Sequence, residues 1–164
     1  MIVMQTDLPG LRCVGRGKVR DIYDLGSMLL IVVTDRLSAF DVVLPDGIPG
    51  KGILLTQISL WWFAQTADIM QNHLVENHDA ALAELLKDRL ELQHRAMLVK
   101  KLRPMPVEAV VRGYLAGSGW KDYLKTGAIV DHQLPDGMQE SQQLPQPLFT
   151  PSTKESAGHD EPIS

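Results

Sequence analysis

Short apolar runs separated by Gly and Pro clusters set the pattern of this chain. Residues 28–34, MLLIVVT, form an apolar, β-branched run of strand length. Residues 11–24, LRCVGRGKVRDIYD, read as extended with glycines at their centre, and Leu25-Gly26-Ser27 supplies a turn. Two such runs around a Gly turn predict an antiparallel pair. Residues 45–52, PDGIPGKG, are too rich in Gly and Pro for anything but a loop. Residues 53–70 then switch to helical spacing: Leu55, Ile58, Trp62 and Ile69 fall on one face, with Leu54 and Trp61 beside them. The two tryptophans are expected to anchor the core. Residues 79–90, DAALAELLKDRL, predict a second helix, with Asp79 at its N-cap or in its first turn.

Residues 96–102, AMLVKKL, and 107–112, VEAVVR, read as strands, and Pro104 and Pro106 keep them from forming one ladder. Residues 117–125 predict a helix with Ser118 as N-cap and Gly127 as its stop. From Ile129 onward Pro, Gln, Ser and Asp prevail and apolar periodicity is weak. Strands, then helices, then strands lack the regular β–α alternation of a doubly wound sheet, so the predicted fold class is α+β.

At 164 residues the chain is long enough for one domain or two small lobes, and 45% hydrophobic with 22% charged residues supplies a globular core. A net charge of -4 argues against general attraction to nucleic acid or anionic lipid. The single cysteine, Cys13, rules out an intrachain disulfide. The N-terminus lacks the pattern of a secretory signal, and the apolar runs are too short or interrupted to span a bilayer. These features lead to the expectation of a cytoplasmic protein with neither a nucleic acid nor a membrane as partner.

Four segments carry candidate chemistry. In GRGKVRDIY (residues 15–23) glycines allow close approach of backbone to phosphate, and Lys18 and Arg20 share one face at strand spacing. The segment is neither a Walker A loop nor a dinucleotide fingerprint, and by itself reads first as an exposed basic strand. DRLSAFD (residues 35–41) offers acceptors, a guanidinium and a hydroxyl at a strand exit, as a site or as a turn with a local ion pair. In VEAVVRGYLAGSGWKDY (residues 107–123), Glu108 and Arg112 share a strand face, with Val107, Ala109 and Val111 on the other. Arg112 can clamp a phosphate or carboxylate bidentately, and Gly113, Gly117, Gly119 and Ser118 lead into a helix start that favours negative charge. This is the strongest anion site in the sequence. FTPSTKESAGHDEPIS (residues 149–164) adds a cluster of Thr150, Ser152, Thr153 and Lys154. Its His159-Asp160-Glu161 lacks histidine partners at zinc-site spacing.

Taken in order, GKVRDIY, TDRLSAFD, VEAVVRGYLAGSGWKDY and FTPSTKESAGHDEPIS closely resemble the phosphoribosylaminoimidazole-succinocarboxamide synthase (SAICAR synthetase) family. The resemblance runs from about Gly15 to the last residue, and RGYLAGSGWKDY and FTPSTK are its most specific parts. It implies an ATP-dependent carbon–nitrogen ligase of purine synthesis. L-aspartate is joined to carboxyaminoimidazole ribonucleotide (CAIR) to give SAICAR, ADP and phosphate, with Mg2+. It further implies a two-lobed ATP-binding architecture of mostly antiparallel sheets with flanking helices: residues 1–102 a nucleotide-binding lobe, residues 103–164 the start of a second.

By the same resemblance, Gly17, Lys18, Val19 and Arg20 form a strand over the ATP phosphates. The backbone around Lys100, Lys101 and Leu102 meets the adenine as a hinge between lobes, and Lys154 approaches the nucleotide phosphates. Glu108 is the carboxylate near the metal or the CAIR amine. Arg112 and Ser118 hold the CAIR carboxylate and phosphate side, with Asp35, Arg36 and Ser38 lining the same cleft. Trp120 and Tyr123 are assigned to packing. Family members continue past the position matching Ser164, so the main magnesium ligands and further CAIR contacts are expected beyond it. On this view the chain is an N-terminal piece lacking full ligase activity. The alternatives are a nucleotide-binding remnant and a small-molecule kinase with the same kind of cleft.

Overall fold

A computed structural model describes residues 1–40, 42–154 and 163. The chain divides into two compact units, Met1–Leu102 and Arg103–Ser164. The fold class is α+β, with antiparallel sheets in both units.

Unit 1 begins with β1 (Arg12–Arg16), β2 (Arg20–Asp24) and β3 (Met28–Val33). It continues through the small hairpin β4 (Ser38–Ala39) and β5 (Val42–Val43) to α1 (Lys51–Gln65), α2 (His78–Leu85), α3 (Leu90–Gln93) and β6 (Ala96–Lys100). The main sheet runs β1-β2-β3-β6, antiparallel throughout, so the predicted pairing around Gly26 holds. Gly26 has a φ of 82°, a conformation that favours glycine, and caps the tight turn. Leu30, Val32, Ala96 and Leu98 alternate inward and meet Leu82, Leu86 and Leu92 from the helices, forming the core with Tyr23 and Leu8.

The tryptophan expectation is overturned. Trp61 is 55% and Trp62 54% exposed, and Leu54, Leu55, Ile58 and Ile69 are exposed with them. The inward positions of α1 are Gly52 and Thr56, four apart. A Cβ on Gly52 would lie 2.2 Å from the Val33 carbonyl oxygen. The helix therefore docks at backbone distance through small residues, and its bulky stripe points elsewhere. The helix also starts at Lys51, two residues earlier than expected, and ends at Gln65. The predicted helix over 79–90 is split into α2 and the short α3.

Unit 2 comprises β7 (Val107–Glu108), β8 (Val111–Tyr114), α4 (Gly117–Thr126), β9 (Ala128–Ile129), β10 (His132–Gln133), β11 (Gln143–Phe149) and β12 (Ser152–Thr153). Strands pair as β8 with β11, β7 with β12 and β9 with β10. The strand expected over 107–112 is thus broken between two ladders, and the apolar Val111 is 66% exposed. The proline-rich stretch hides β11, in which Leu144 and Leu148, four apart, are buried. Pro145 and Pro147 are accommodated because the ladder has just two strands and is irregular between Gln143 and Leu148. Gly127 ends α4 at φ 71°, as expected. Trp120 stacks on Tyr123 at 5.8 Å, and the Tyr123 hydroxyl donates to Pro135 O while accepting from Met138 N, so both rings are packing residues.

Candidate functional site

Within unit 1 the glycine-rich segment is a hairpin end, not a continuous strand. Gly17 N–H donates to Arg20 O at 2.9 Å, leaving Lys18 and Val19 in the turn between β1 and β2. Strand alternation therefore does not set the direction of Lys18. Lys18 and Arg20 are both exposed.

The hairpin end is held from below by Arg36. Its Nε donates to Lys18 O, its Nη2 to Gly17 O, Arg20 O and Asp21 Oδ1, and its Nη1 to Met4 O. Asp21 is fully buried and also accepts from Thr6 N and Oγ1. Arg36 was expected to line a substrate cleft. Here it is buried and its donors are occupied by acceptors of its own fold, which fixes the hairpin carbonyls and hence the loop's shape.

Asp35 has a parallel fate. It is fully buried, accepts from Val3 N and Gly52 N, and pairs with Arg95 Nη1 at 3.0 Å. Burial pushes its pKa up, but those backbone N–H groups and the Arg95 guanidinium outweigh burial and hold it below the ordinary value. Ser38 is half-buried in β4. Asp41 lies outside the described residues.

At the end of β6, Lys100 N–H donates to His73 O and Lys101 N–H to Ser27 O. These two amides, expected at a nucleobase, already serve the unit's own backbone. Lys101 Nζ reaches Asp24 at 2.8 Å and, with the Gly26 amide, lowers that carboxyl's pKa. Leu102 is exposed. A cavity of about 580 Å³ beside this strand end is lined by Phe63, Met70, His73, Lys100 and Leu102 among others. Burial, with the charge of Arg20, lowers the pKa of His73.

Unit 2 gathers the other predicted groups. Arg112 lies on β8 opposite Leu148 of β11, which brings the next turn of chain, Thr150, alongside it. Arg112 Nε donates to Thr150 Oγ1 at 3.0 Å, and Nη2 donates to Ser118 Oγ at 2.9 Å. Ser118 is not the N-cap: Ala116 is, and its methyl side chain can make no cap bond, while the Ser118 hydroxyl accepts from Arg112. The side chain of Arg112 crosses Gly119, where a Cβ would lie 3.5 Å from its Cδ and 3.1 Å from Ile129 Cδ1. The pairing of β7 with β12 sets Ser152 against Glu108 and delivers Lys154, whose Nζ lies 2.5 Å from Glu108 Oε1.

The structure thus pairs Glu108 with Lys154 and sets Arg112 against Ser118, Thr150 and Gly119. Gly119 stood out in the sequence as part of the glycine-rich helix start, not as the seat of the Arg112 side chain. Thr150 stood within a polar cluster, and the Pro after it predicts an extended residue, but its partner is 38 residues away. Residues 159–161, His-Asp-Glu, lie outside the described residues. Among the described residues no three His, Cys, Asp or Glu side chains gather as a metal site, and the Glu108 carboxylate faces an ammonium. These residues alone do not fit a magnesium site. Among them, no helix is long and apolar enough to cross a membrane.

Comparison with known proteins gives a consistent picture. The family model described as SAICAR synthetase matches residues 13–164. Phosphoribosylaminoimidazole-succinocarboxamide synthase from Thermodesulfovibrio yellowstonii is 58% identical over 164 residues, covering 99% of this chain and 56% of that protein. The Geobacter sulfurreducens protein of the same name is 56% identical over 165 residues with the same coverage. Among solved structures, SAICAR-synthase from Saccharomyces cerevisiae, complexed with SAICAR, superposes with a TM-score of 0.85 at 45% identity, covering 99% of this chain and 56% of the other. The chain spans about half the length of the relatives it matches.

Proposed function

This chain belongs to the SAICAR synthetase family, and from that premise we propose that it takes part in the ATP-dependent joining of L-aspartate to CAIR in purine synthesis. The observation that carries this reading is the Arg112 guanidinium held by the hydroxyls of Ser118 and Thr150, which joins the two most specific motif segments, 107–123 and 149–164. Support also comes from the yeast relative, whose structure is complexed with SAICAR.

The reaction needs positioning and charge neutralisation more than a protein nucleophile. ATP phosphorylates the CAIR carboxylate, and the aspartate amine then attacks the acyl phosphate and expels phosphate. Arg112 and Ser118 hold the carboxylate and phosphate side of CAIR, where the fixed fork meets developing negative charge. Lys154 exchanges Glu108 for nucleotide phosphate, and Glu108 turns to the CAIR amine. The hairpin of Gly17, Lys18, Val19 and Arg20 covers the ATP phosphates, and Lys100, Lys101 and Leu102 border the adenine. Asp35 and Arg36 act at a distance by fixing that hairpin and the start of α1, with Ser38 beside them. Residues 1–102 serve as the nucleotide-binding lobe and residues 103–164 as the start of the second, in a cytoplasmic enzyme. Mg2+ would neutralise the transferring phosphoryl group when bound.

The test is binding followed by turnover. Calorimetry should detect CAIR binding to the purified chain, and Arg112→Lys should weaken it sharply while leaving ATP affinity nearly unchanged. If Arg112→Lys lowers ATP affinity and spares CAIR, the assignment of Arg112 is wrong. ATP cleavage requiring both CAIR and aspartate marks the ligase; a stable phosphorylated product formed without aspartate would mark a kinase instead.

A further inference from the structure

We propose that Thr150 is a positioning residue that fixes which edge of the Arg112 guanidinium meets the substrate; the proposal rests on the reading of Arg112 as the CAIR contact. A guanidinium offers two usable edges. One is the side-on edge of Nε–H and the nearer Nη2–H; the other is the end-on edge of Nη1–H and the second Nη2–H. The side-on edge is taken here. Thr150 Oγ1 accepts from Nε at 3.0 Å and Ser118 Oγ accepts from Nη2 at 2.9 Å. Among the described residues Nη1 has no hydrogen-bond partner, so the edge on which it stands is the one offered to an anion.

Thr150 is suited to this task because it is itself immobilised. It is buried, its N–H donates to Val110 O at 2.8 Å, and its hydroxyl makes a longer contact of 3.5 Å to the same carbonyl. That second contact orients the hydroxyl proton toward Val110, which leaves the oxygen lone pairs for Arg112. Gly119 completes the seat by leaving room for the Arg112 shaft. Ser118, by contrast, sits exposed at the start of α4. The two hydroxyls therefore differ: Thr150 supplies the rigid half of the clamp. A neutral acceptor also leaves the full positive charge of Arg112 for the substrate, which a carboxylate at the same place would cancel.

The experiment compares the whole chain as wild type, Thr150→Val, Thr150→Ser and Arg112→Lys. CAIR affinity is measured by calorimetry, the Arg112 Nε–H exchange rate by NMR, and folding by thermal unfolding. Valine keeps the shape and removes the acceptor; serine keeps the acceptor. The expected result is about a tenfold loss of CAIR affinity and faster Nε–H exchange in Thr150→Val, both restored to within about twofold in Thr150→Ser. Wild-type affinity and exchange in Thr150→Val would overturn the proposal. So would equal loss in both Thr150 variants, or unfolding of both, since that marks a packing role. If Arg112→Lys weakens CAIR binding and Thr150→Val does not, the positioning idea alone fails. If Arg112→Lys is silent, or wild type does not bind CAIR, the parent reading fails and this proposal with it.

Discussion

Arg36, just past β3 in unit 1, and Arg112, on β8 in unit 2, end in opposite situations. Arg36 meets four backbone carbonyls and the buried carboxylate of Asp21. Arg112 meets two hydroxyls and no carboxylate among the described residues. The neighbouring pairs follow the same division. Asp35 and Arg95 are buried against each other, whereas Glu108 and Lys154 pair in contact with solvent. Unit 1 uses its charges to hold backbone; unit 2 leaves charge available at its surface. A cation becomes structural when its fold supplies enough anionic and carbonyl acceptors to satisfy it, and a binding group when the fold orients it and stops short of satisfying it.

That contrast breaks most visibly at Arg95. Replacing Arg95 with Met strands the buried Asp35 charge and should cost unit 1 about 3–5 kcal/mol, read as a lowered urea midpoint. A loss below about 1 kcal/mol would mean the pair is not structural. Next comes Gly52→Ala, where the new methyl would meet the Val33 backbone at 2.2 Å. Loss of about 1–3 kcal/mol is expected by the same assay, because backbone cannot swing aside as a flexible side chain can. Arg112→Lys should be the mirror image. It should lower CAIR affinity at least about tenfold while stability changes by less than about 1 kcal/mol.

Acid titration probes unit 1, where both shifted groups lose their contribution as pH falls. His73 has its pKa lowered from 6.5, so its contribution is complete above that pH and is lost as pH falls from there through its depressed value. Asp35, lowered from 3.8, contributes above that pH and loses its contribution as pH falls through its own depressed value. Unit 1 should therefore weaken in two steps on acidification, followed by far-UV circular dichroism during thermal melts at stepped pH. His73→Gln should abolish the first step and leave the second. The smallest effect is expected from Glu108→Gln. With Lys154 55% and Glu108 42% exposed, breaking this pair should change stability by at most about 1 kcal/mol. A larger loss would move unit 2 toward the behaviour of unit 1 and blur the distinction.

Much of this was legible in the chain itself. The meander around Gly26, the stop at Gly127, the α+β class and the family all rest on local pattern or motif, and local pattern is what short-range sterics and periodicity encode. The pairs Arg112–Ser118 and Glu108–Lys154 join residues that only the motifs had singled out. The errors share one cause. Trp61 and Trp62 looked like core because helical spacing reveals a stripe without revealing which stripe is covered, and Gly52 and Thr56 won that contact. The bonds of Arg36 to its own fold were hidden in the same way, because its acceptors, Met4 and Asp21, lie 32 and 15 residues away.

By itself, then, the sequence determined which segments become strands and helices, where glycine must turn them, and that residues 107–123 carry the motif of the family. Only the tertiary structure decided which charges are satisfied internally, which face of α1 is covered, and that Thr150 rather than Ser118 seats Arg112 most rigidly. The reason is physical. Backbone conformation responds to neighbours a few residues apart, whereas the satisfaction of a charge depends on every acceptor within hydrogen-bond reach. In this chain those acceptors arrive from distant segments.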